Sequence, residues 1–372
     1  MNGHAFPPSP PTPLPQGERG DLLTQWSRTS ELPPLEARAL LSHVLQVTPA
    51  WVVAHDEVTL DEISKHRLDV LADRRRQGEP MAYLVGEKEF WGMMFKVTPD
   101  VLIPRPDTET LVETALRYIP VAQEARVLDL GTGSGAVAIA IACERPYARL
   151  YATDISEAAL CVAEENAARL LQREAGVVSV RAHTSSTLSP CVRGCPEGAG
   201  EGAGGEDDFS TFPSPPTPLP QGERGATRGA PLQKNVHMNQ NRSDRIVWCL
   251  SDWFSAIPVP RQNSERFSVI VSNPPYIAAA DAHLDEGDVR FEPRNALVGG
   301  RSGWEALQTI AQQAPMYLQP GGVLLMEHGY DQGDVTRALL RDAGFTQCET
   351  VCDLAGVPRV TLGVLTPIEL MT

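Results

Sequence analysis

No stretch of this chain stays apolar for the roughly 18–20 residues that a membrane-spanning helix needs, so a helical membrane protein is not expected. Positive charge is also in deficit. Lys and Arg number 32 against 47 Asp and Glu, a net charge of −15. A general nucleic-acid binder shows the opposite balance or a basic patch, so no direct nucleic-acid partner is expected. The N-terminus, Met1-Asn-Gly-His-Ala-Phe-Pro-Pro, has no basic region leading into an apolar core, and no secretory leader is read there. The 7 cysteines include no CxxC pair. Cys191/Cys195 and Cys348/Cys352 have no histidine at ligand spacing, so no metal site is expected. Reduced thiols in a cytoplasmic protein are the simpler account.

What is present is enough chain, 372 residues at 42% hydrophobic, for about two domains. Residues 1–20 form a Pro-rich extension whose segment Pro8–Gly20 recurs verbatim at Pro213–Gly225. Such composition favours unpacked chain. Residues 21–80 read as a small all-α domain. Leu35, Ala37, Leu40, Leu41, Val44 and Leu45 make one helical stripe, and Ile63, Leu68, Val70 and Leu71 suggest another, with Thr59 or Asp61 as cap. Residues 81–103 read as a β-hairpin linker. A helix then runs from the Pro104-Arg-Pro-Asp-Thr-Glu109 segment to Tyr118, capped by Asp107 or Thr108.

From residue 104 to 372 strands and helices alternate, the pattern of a doubly wound, mostly parallel sheet. The alternation breaks at about 173–245. Between Pro190 and Pro231, 17 of 42 residues are Gly or Pro, above the level of roughly 25–30% that marks low complexity. A disordered insertion is expected there, with Val177–Ala182 as a local extended piece.

Four strand tips carry the chemistry. Gly131-Thr132-Gly133-Ser134-Gly135 follows a strand and opens a helix, where glycines admit a ligand close to the backbone. Its spacing is GxGxG, not the dinucleotide GxGxxG. Asp154 ends the next strand, placed to accept ribose hydroxyls. Asp252-Trp253 ends the third, where an acid and a ring suit adenine. Asn273-Pro274-Pro275-Tyr276 ends the fourth, after Val269-Ile-Val271. Two prolines stop the strand and hold an amide and an aromatic ring rigidly. Alone, this tetrad is equally a strand followed by a turn, and Trp253 alone is equally a core residue. Together the tips fit S-adenosylmethionine better than NAD.

Val127-Leu-Asp-Leu-Gly-Thr-Gly-Ser-Gly135, Ile103–Glu109, Ser251-Asp-Trp-Phe254, Ser272–Ile277, Arg290–Leu297 and Glu327-His-Gly329 together resemble the protein-(glutamine-N5) methyltransferases of peptide chain release factors, the HemK family. The resemblance covers about residues 30–171 and 246–366. It implies a class I S-adenosylmethionine-dependent methyltransferase fold, Rossmann-like with a mostly parallel seven-stranded sheet, and a small N-terminal α-domain that grips the substrate. It further implies that the Asn273 oxygen and the Pro274 carbonyl accept the amide hydrogens of the glutamine in a Gly-Gly-Gln motif. Tyr276 would pack on the amide plane, with Pro275 beside it at the substrate; Arg105, bracketed by Pro104 and Pro106 in a stiff loop, suits a wall of the substrate site. Asn-Pro-Pro-Tyr is shared with DNA adenine amino methyltransferases. That reading therefore stays as an alternative, as does a cofactor-binding translation assembly factor without activity.

Overall fold

The computed structural model describes residues 22–55, 57–171, 180–182 and 245–366. Both copies of the Pro-rich repeat and nearly all of the expected insertion lie outside these residues.

Among the described residues five helices come first: α1 (Leu23–Thr29), α2 (Pro34–Leu45), α3 (Pro49–Ala54), α4 (Glu62–Arg76) and α5 (Met81–Val85). They enclose Leu23, Trp26, Leu40, Leu41, Leu68 and Leu84. Trp26 is the largest of these, and burying its ring brings a polar N–H inside. Its Nε1 donates to Asp69 at 2.8 Å. Asp61 caps α4 by accepting the Ser64 N–H at 2.7 Å. The apolar stripes are narrower than their spacing suggests. Leu35, Ile63 and Val70 face outward, and Ala37 and Ala72 take core positions. The linker also differs from expectation. Residues 81–85 are the fifth helix, stopped by Gly86 in the left-handed region (φ 75°). Only then does the hairpin begin, β1 (Glu87–Phe90) and β2 (Met93–Lys96). Trp91 and Gly92 join its strands at φ 54° and 69°, the left-handed pair a tight hairpin turn needs.

The loop after the hairpin leads into a single 3-10 turn, Pro106–Thr108, and then α6 (Glu109–Leu116). Neither Asp107 nor Thr108 caps that helix with its side chain. Both are turned to tertiary partners. The alternating region follows: β3 (Ala125–Leu130), α7 (Ala136–Glu144), β4 (Ala148–Asp154), α8 (Glu157–Leu171), β5 (Val180–Ala182), β6 (Ile246–Leu250), β7 (Phe267–Ser272), α9 (Arg294–Leu297), α10 (Glu305–Gln313), β8 (Leu318–Glu327), α11 (Gly333–Asp342), β9 (Phe345–Cys352) and β10 (Pro358–Leu365). Helix α10 ends at Gln313, where the chain turns into a 3-10 segment carrying Pro315.

The sheet order is β5-β6-β4-β3-β7-β8-β10-β9. Strands β3 to β8 are parallel, and β10 runs antiparallel to both neighbours. Seven strands make the expected sheet. The three-residue β5 adds an eighth at its edge, within the expected extended piece. Parallel strands are covered on both faces, so their sequences are near-continuous apolar runs. Val127, Val269, Val271 and Leu325 pack on one face. Leu128, Leu130, Ile270 and Leu324 pack on the other. The chain leaves β3 in one direction toward β4 and returns on its other side as β7. That reversal of winding opens a crevice at the carboxyl ends of β3, β4 and β7.

Candidate active site

A cavity of about 470 Å³ lies at that crevice. Of the residues singled out in the sequence, Arg105, Gly131, Thr132, Gly133, Ser134, Asp154, Asp252, Trp253, Asn273 and Pro275 line it. Gly135, Pro274 and Tyr276 are not in its lining. Gly135 serves packing. A Cβ there would sit 3.1 Å from the Ala163 Cβ, so a glycine lets α7 approach α8.

The glycine loop is pinned rather than open. The N–H groups of Gly131 and Thr132 both donate to the Thr153 carbonyl at 2.9 Å, and that of Gly135 to Thr132. The Gly133 N–H donates to Asp154 at 2.8 Å. The loop is therefore a rigid floor whose donors are largely spent, not the set of free N–H groups its helix-opening position suggests. Buried Asn166 on α8 steadies it from behind. Its Nδ2 donates to the carbonyls of Ser134 and Lys96, both at 3.0 Å, tying loop and hairpin together.

Acceptors dominate one wall. Asp154 takes the Ser156 N–H at 2.9 Å on its second oxygen, and Ser156 caps α8 through Ala159. Burial holds the Asp154 carboxyl above its ordinary range despite these donors. Behind it lies Asp129, which pattern reading passed over as part of a strand. It is 1% exposed and accepts the Thr132 hydroxyl at 2.7 Å. Burial pushes it to about 7, with the Asp154 charge adding to the rise. Trp253 stands opposite in the left-handed region (φ 48°). Its ring would lie 3.7 Å from a Cβ at Gly131. It lines the cavity and also packs against the core beneath β4 and β7.

These residues fit S-adenosylmethionine. Two buried carboxylates beside a spent glycine loop suit a ligand with cationic centres and hydroxyl donors. A dinucleotide's phosphates would meet the same carboxylates unfavourably.

At the other end stands Asn273. Its Nδ2 donates to Thr108 Oγ1 at 3.1 Å, across 165 residues of sequence. With the nitrogen occupied, the amide offers its oxygen as acceptor. Tyr276 turns from the cavity toward the tip of β8, its hydroxyl 3.5 Å from Glu327 Oε1. Its backbone carbonyl accepts from Gln332 Nε2 at 2.9 Å. Arg105 is ion-paired with Glu292, a carboxylate that also accepts the Ile103 N–H at 3.0 Å. In the sequence Thr108 reads as a helix cap, and Glu292 and Glu327 enter only as members of the resembling segments, with no site role assigned to any of the three. Only the fold brings them to the site.

Two family models match the chain. Residues 23–86 match the model of the PrmC N-terminal domain, and residues 107–189 that of the methyltransferase small domain. The release factor glutamine methyltransferase of Bordetella pertussis is 42% identical over 90% of this chain and 96% of that protein. The chain belongs to the release factor glutamine methyltransferase family. Members from Xylella fastidiosa and Burkholderia pseudomallei are 38% and 39% identical, over 90% and 91% of this chain and 94% of each relative. As a member of that family it is an S-adenosylmethionine-dependent enzyme. No helix among the described residues is long and apolar enough to cross a membrane.

Proposed function

We propose that this enzyme methylates the side-chain nitrogen (N5) of the glutamine in the Gly-Gly-Gln motif of peptide chain release factors, in the cytoplasm. The observation that carries the proposal is Asn273. A rigid strand tip holds its amide in the cavity wall, with its nitrogen engaged by Thr108.

S-adenosylmethionine, when bound, supplies an electrophilic methyl group. Gly131–Ser134, Asp129, Asp154, Asp252 and Trp253 are the residues that would hold it. The remaining difficulty is the nucleophile. A carboxamide nitrogen shares its lone pair with the carbonyl and attacks poorly. The Asn273 oxygen and the Pro274 carbonyl accept its two hydrogens, which shifts electron density onto nitrogen and fixes its direction. Fixed dipoles of this kind contribute about 3–4 kcal/mol for one good group. Positioning supplies much of the rest. The methylated nitrogen is acidic enough to lose its proton, so no histidine or lysine base is assigned. The helical domain, α1–α5, is the part assigned to gripping the release factor. A net charge of −15 favours a protein substrate over adenine in nucleic acid.

The test is Asn273→Ala, assayed for transfer of labelled methyl groups to a release factor and, by calorimetry, for S-adenosylmethionine binding. Transfer should fall by about 10²–10³, the typical effect of losing one such polar group. Cofactor affinity should stay within about threefold, because the ligand-facing carboxylates are untouched. Equal loss of both would make Asn273 a structural residue, and transfer to DNA instead of release factor would overturn the substrate assignment.

A further inference from the structure

The loop that runs from Asn273 to Tyr276 gives its backbone few ways to anchor. Pro274 and Pro275 have no N–H to donate, so the loop depends on donors that reach its carbonyls. One reaches Tyr276. Gln332 stands at the turn before α11, and its Nε2 donates to the Tyr276 carbonyl at 2.9 Å, across 56 residues of sequence. Its Oε1 accepts the Gly329 N–H, also at 2.9 Å. One side-chain amide thus bridges the segment after β8 to the loop after β7.

Its partners fix which way that amide faces. A backbone N–H only donates and a backbone carbonyl only accepts, so Oε1 faces Gly329 and Nε2 faces Tyr276. The backbone of Gln332 is held as well. Its N–H donates to the Gly329 carbonyl at 2.9 Å, and its carbonyl takes the Thr336 N–H at 2.9 Å and the Thr336 hydroxyl at 2.7 Å. A Cβ at Gly329 would lie 3.2 Å from Gln332 Oε1, so the turn closes tightly on the amide. The fit at Tyr276 is closer still, since a Cβ at Gly303 would lie 2.7 Å from its carbonyl oxygen. Gln332 is not in the cavity lining. It reaches the site through the loop.

We propose that Gln332 is a positioning residue for methyl transfer: its amide clamps the Tyr276 carbonyl to the turn after β8, and so fixes the Pro274 carbonyl and the Tyr276 ring relative to Asn273. This rests on the methyltransferase reading of the site and deepens it. The substrate glutamine offers two amide hydrogens, and both acceptors must hold them at one angle to the methyl group. Asn273, at one end of the tetrad, is tied to Thr108 at 3.1 Å. Gln332 ties the other end. Without the second tie the peptide units between the two can shift, and the Pro274 carbonyl leaves its line. The carboxylates and glycines at the tips of β3 and β4 stay where they are.

The test uses the full chain with a release factor as substrate, and compares the parent with Gln332→Met and Gln332→Glu. Gln332→Met fills the space and removes both polar ends. Gln332→Glu keeps the shape and the acceptor for Gly329, and puts an oxygen where the donor stood. Ionised, that oxygen repels the Tyr276 carbonyl; protonated, it donates to it. The charged and titratable groups around the amide are Asp331 and Asp334 beside it in the chain, Glu327 and His328 at the end of β8, Tyr276 on the loop, and Arg337 and Arg359 near His328. All are common to parent and variants, so a ratio of kcat values cancels them. At pH 8 both variants should lose at least about tenfold in kcat, in the range positioning defects produce. Their S-adenosylmethionine affinity, measured by calorimetry, should stay within about twofold. From pH 8 to pH 6 the ratio of Gln332→Glu to parent should rise by about threefold or more, as the carboxyl takes up its proton, while that of Gln332→Met stays flat. Thermal unfolding at each pH gives the folded fraction to which every rate is referred. A Gln332→Met enzyme with parental kcat overturns the inference. So does a loss of cofactor affinity matching the loss of kcat, or a Gln332→Glu ratio that does not rise as pH falls. A parent chain that binds the cofactor yet methylates no release factor overturns the functional reading itself, a result distinct from any of these.

Discussion

Replacing Arg105 by Met should destabilise the protein more at pH 7.5 than at pH 5.5. The guanidinium is one-third exposed, but its partner Glu292 has a fully buried side chain. Removing one member of a buried pair typically costs about 3–5 kcal/mol, because the other is left charged and unpaired. Here the Ile103 N–H still serves Glu292, and water reaches the arginine side. About 2–3 kcal/mol is therefore expected at pH 7.5. Glu292 can escape the penalty by taking up a proton. Burial already holds its carboxyl above the ordinary range, and Arg105 is the strongest influence pulling it back. With an unfolded pKa of about 4.3 and 1.36 kcal/mol per unit, proton uptake costs about 4.4 kcal/mol at pH 7.5 and about 1.6 kcal/mol at pH 5.5. The penalty of an unpaired carboxylate is capped at those values. It is present above the unfolded pKa and shrinks as pH falls. At roughly 2–4 °C per kcal/mol, the Tm should drop by about 4–12 °C at pH 7.5 and by no more than about 3–6 °C at pH 5.5. Thermal unfolding followed by circular dichroism at both pH values is the assay. Arg105→Met combined with Glu292→Gln should recover most of the loss at pH 7.5. An equal drop at both pH values, or a double variant no more stable than the single one, would refute the reasoning and leave Arg105 with a substrate role alone.

Two further expectations concern the walls of the cavity. A Cβ at Gly299 would lie 2.3 Å from the Pro275 carbonyl oxygen and 2.6 Å from that of Gly303. Both are backbone atoms, so Gly299→Ala must displace the Asn-Pro-Pro-Tyr loop. It should cost about 1–3 kcal/mol and depress methyl transfer beyond what the lost stability explains. Parental Tm and activity would show that the loop yields without consequence. Asp129 titrates at about 7 in the folded chain. With a folded pKa above the unfolded one, the folded state holds the proton longer, and the parent loses stability as pH rises from about 4 to 7. Asp129→Asn cannot ionise. Its stability relative to the parent should therefore rise across that window, measured by urea unfolding at pH 4.5 and 7.5. A difference that does not change with pH would place the Asp129 titration elsewhere.

The tips of β3, β4, β6 and β7 were legible because local rules write them. Apolar runs of strand length end in glycines, an acid or paired prolines, and each of those residue types acts on its own stretch of backbone. The same holds for Asp61 at the start of α4, where a short polar side chain meets an N–H group three residues on. Helix α5 was not legible, since five residues are too few to show a helical period. Ile63 and Val70 misled for a related reason. Periodicity marks a helix and leaves open how wide a face its neighbours cover, and in a bundle of short helices the covered face is narrow.

Thr108, Glu292 and Glu327 mark the deeper limit. Thr108 read as a helix cap because that is the usual local use of a threonine ahead of α6. Its hydroxyl is instead spent on Asn273, far away in sequence. Arg105 read as a cavity wall, which it is, but its partner lies 187 residues downstream. A buried carboxylate has no sequence pattern, because its cost and its purpose both come from neighbours that the fold supplies. The prolines around Arg105 nevertheless have a consequence that follows from this. They stiffen residues 104–106, and that stiffness lets one short loop serve two partners at once: Glu292 through Arg105 and Asn273 through Thr108. A loosened loop should weaken both pairs together. Pro104→Ala and Pro106→Ala should therefore lower Tm and kcat jointly, whereas Thr108→Val should lower kcat alone.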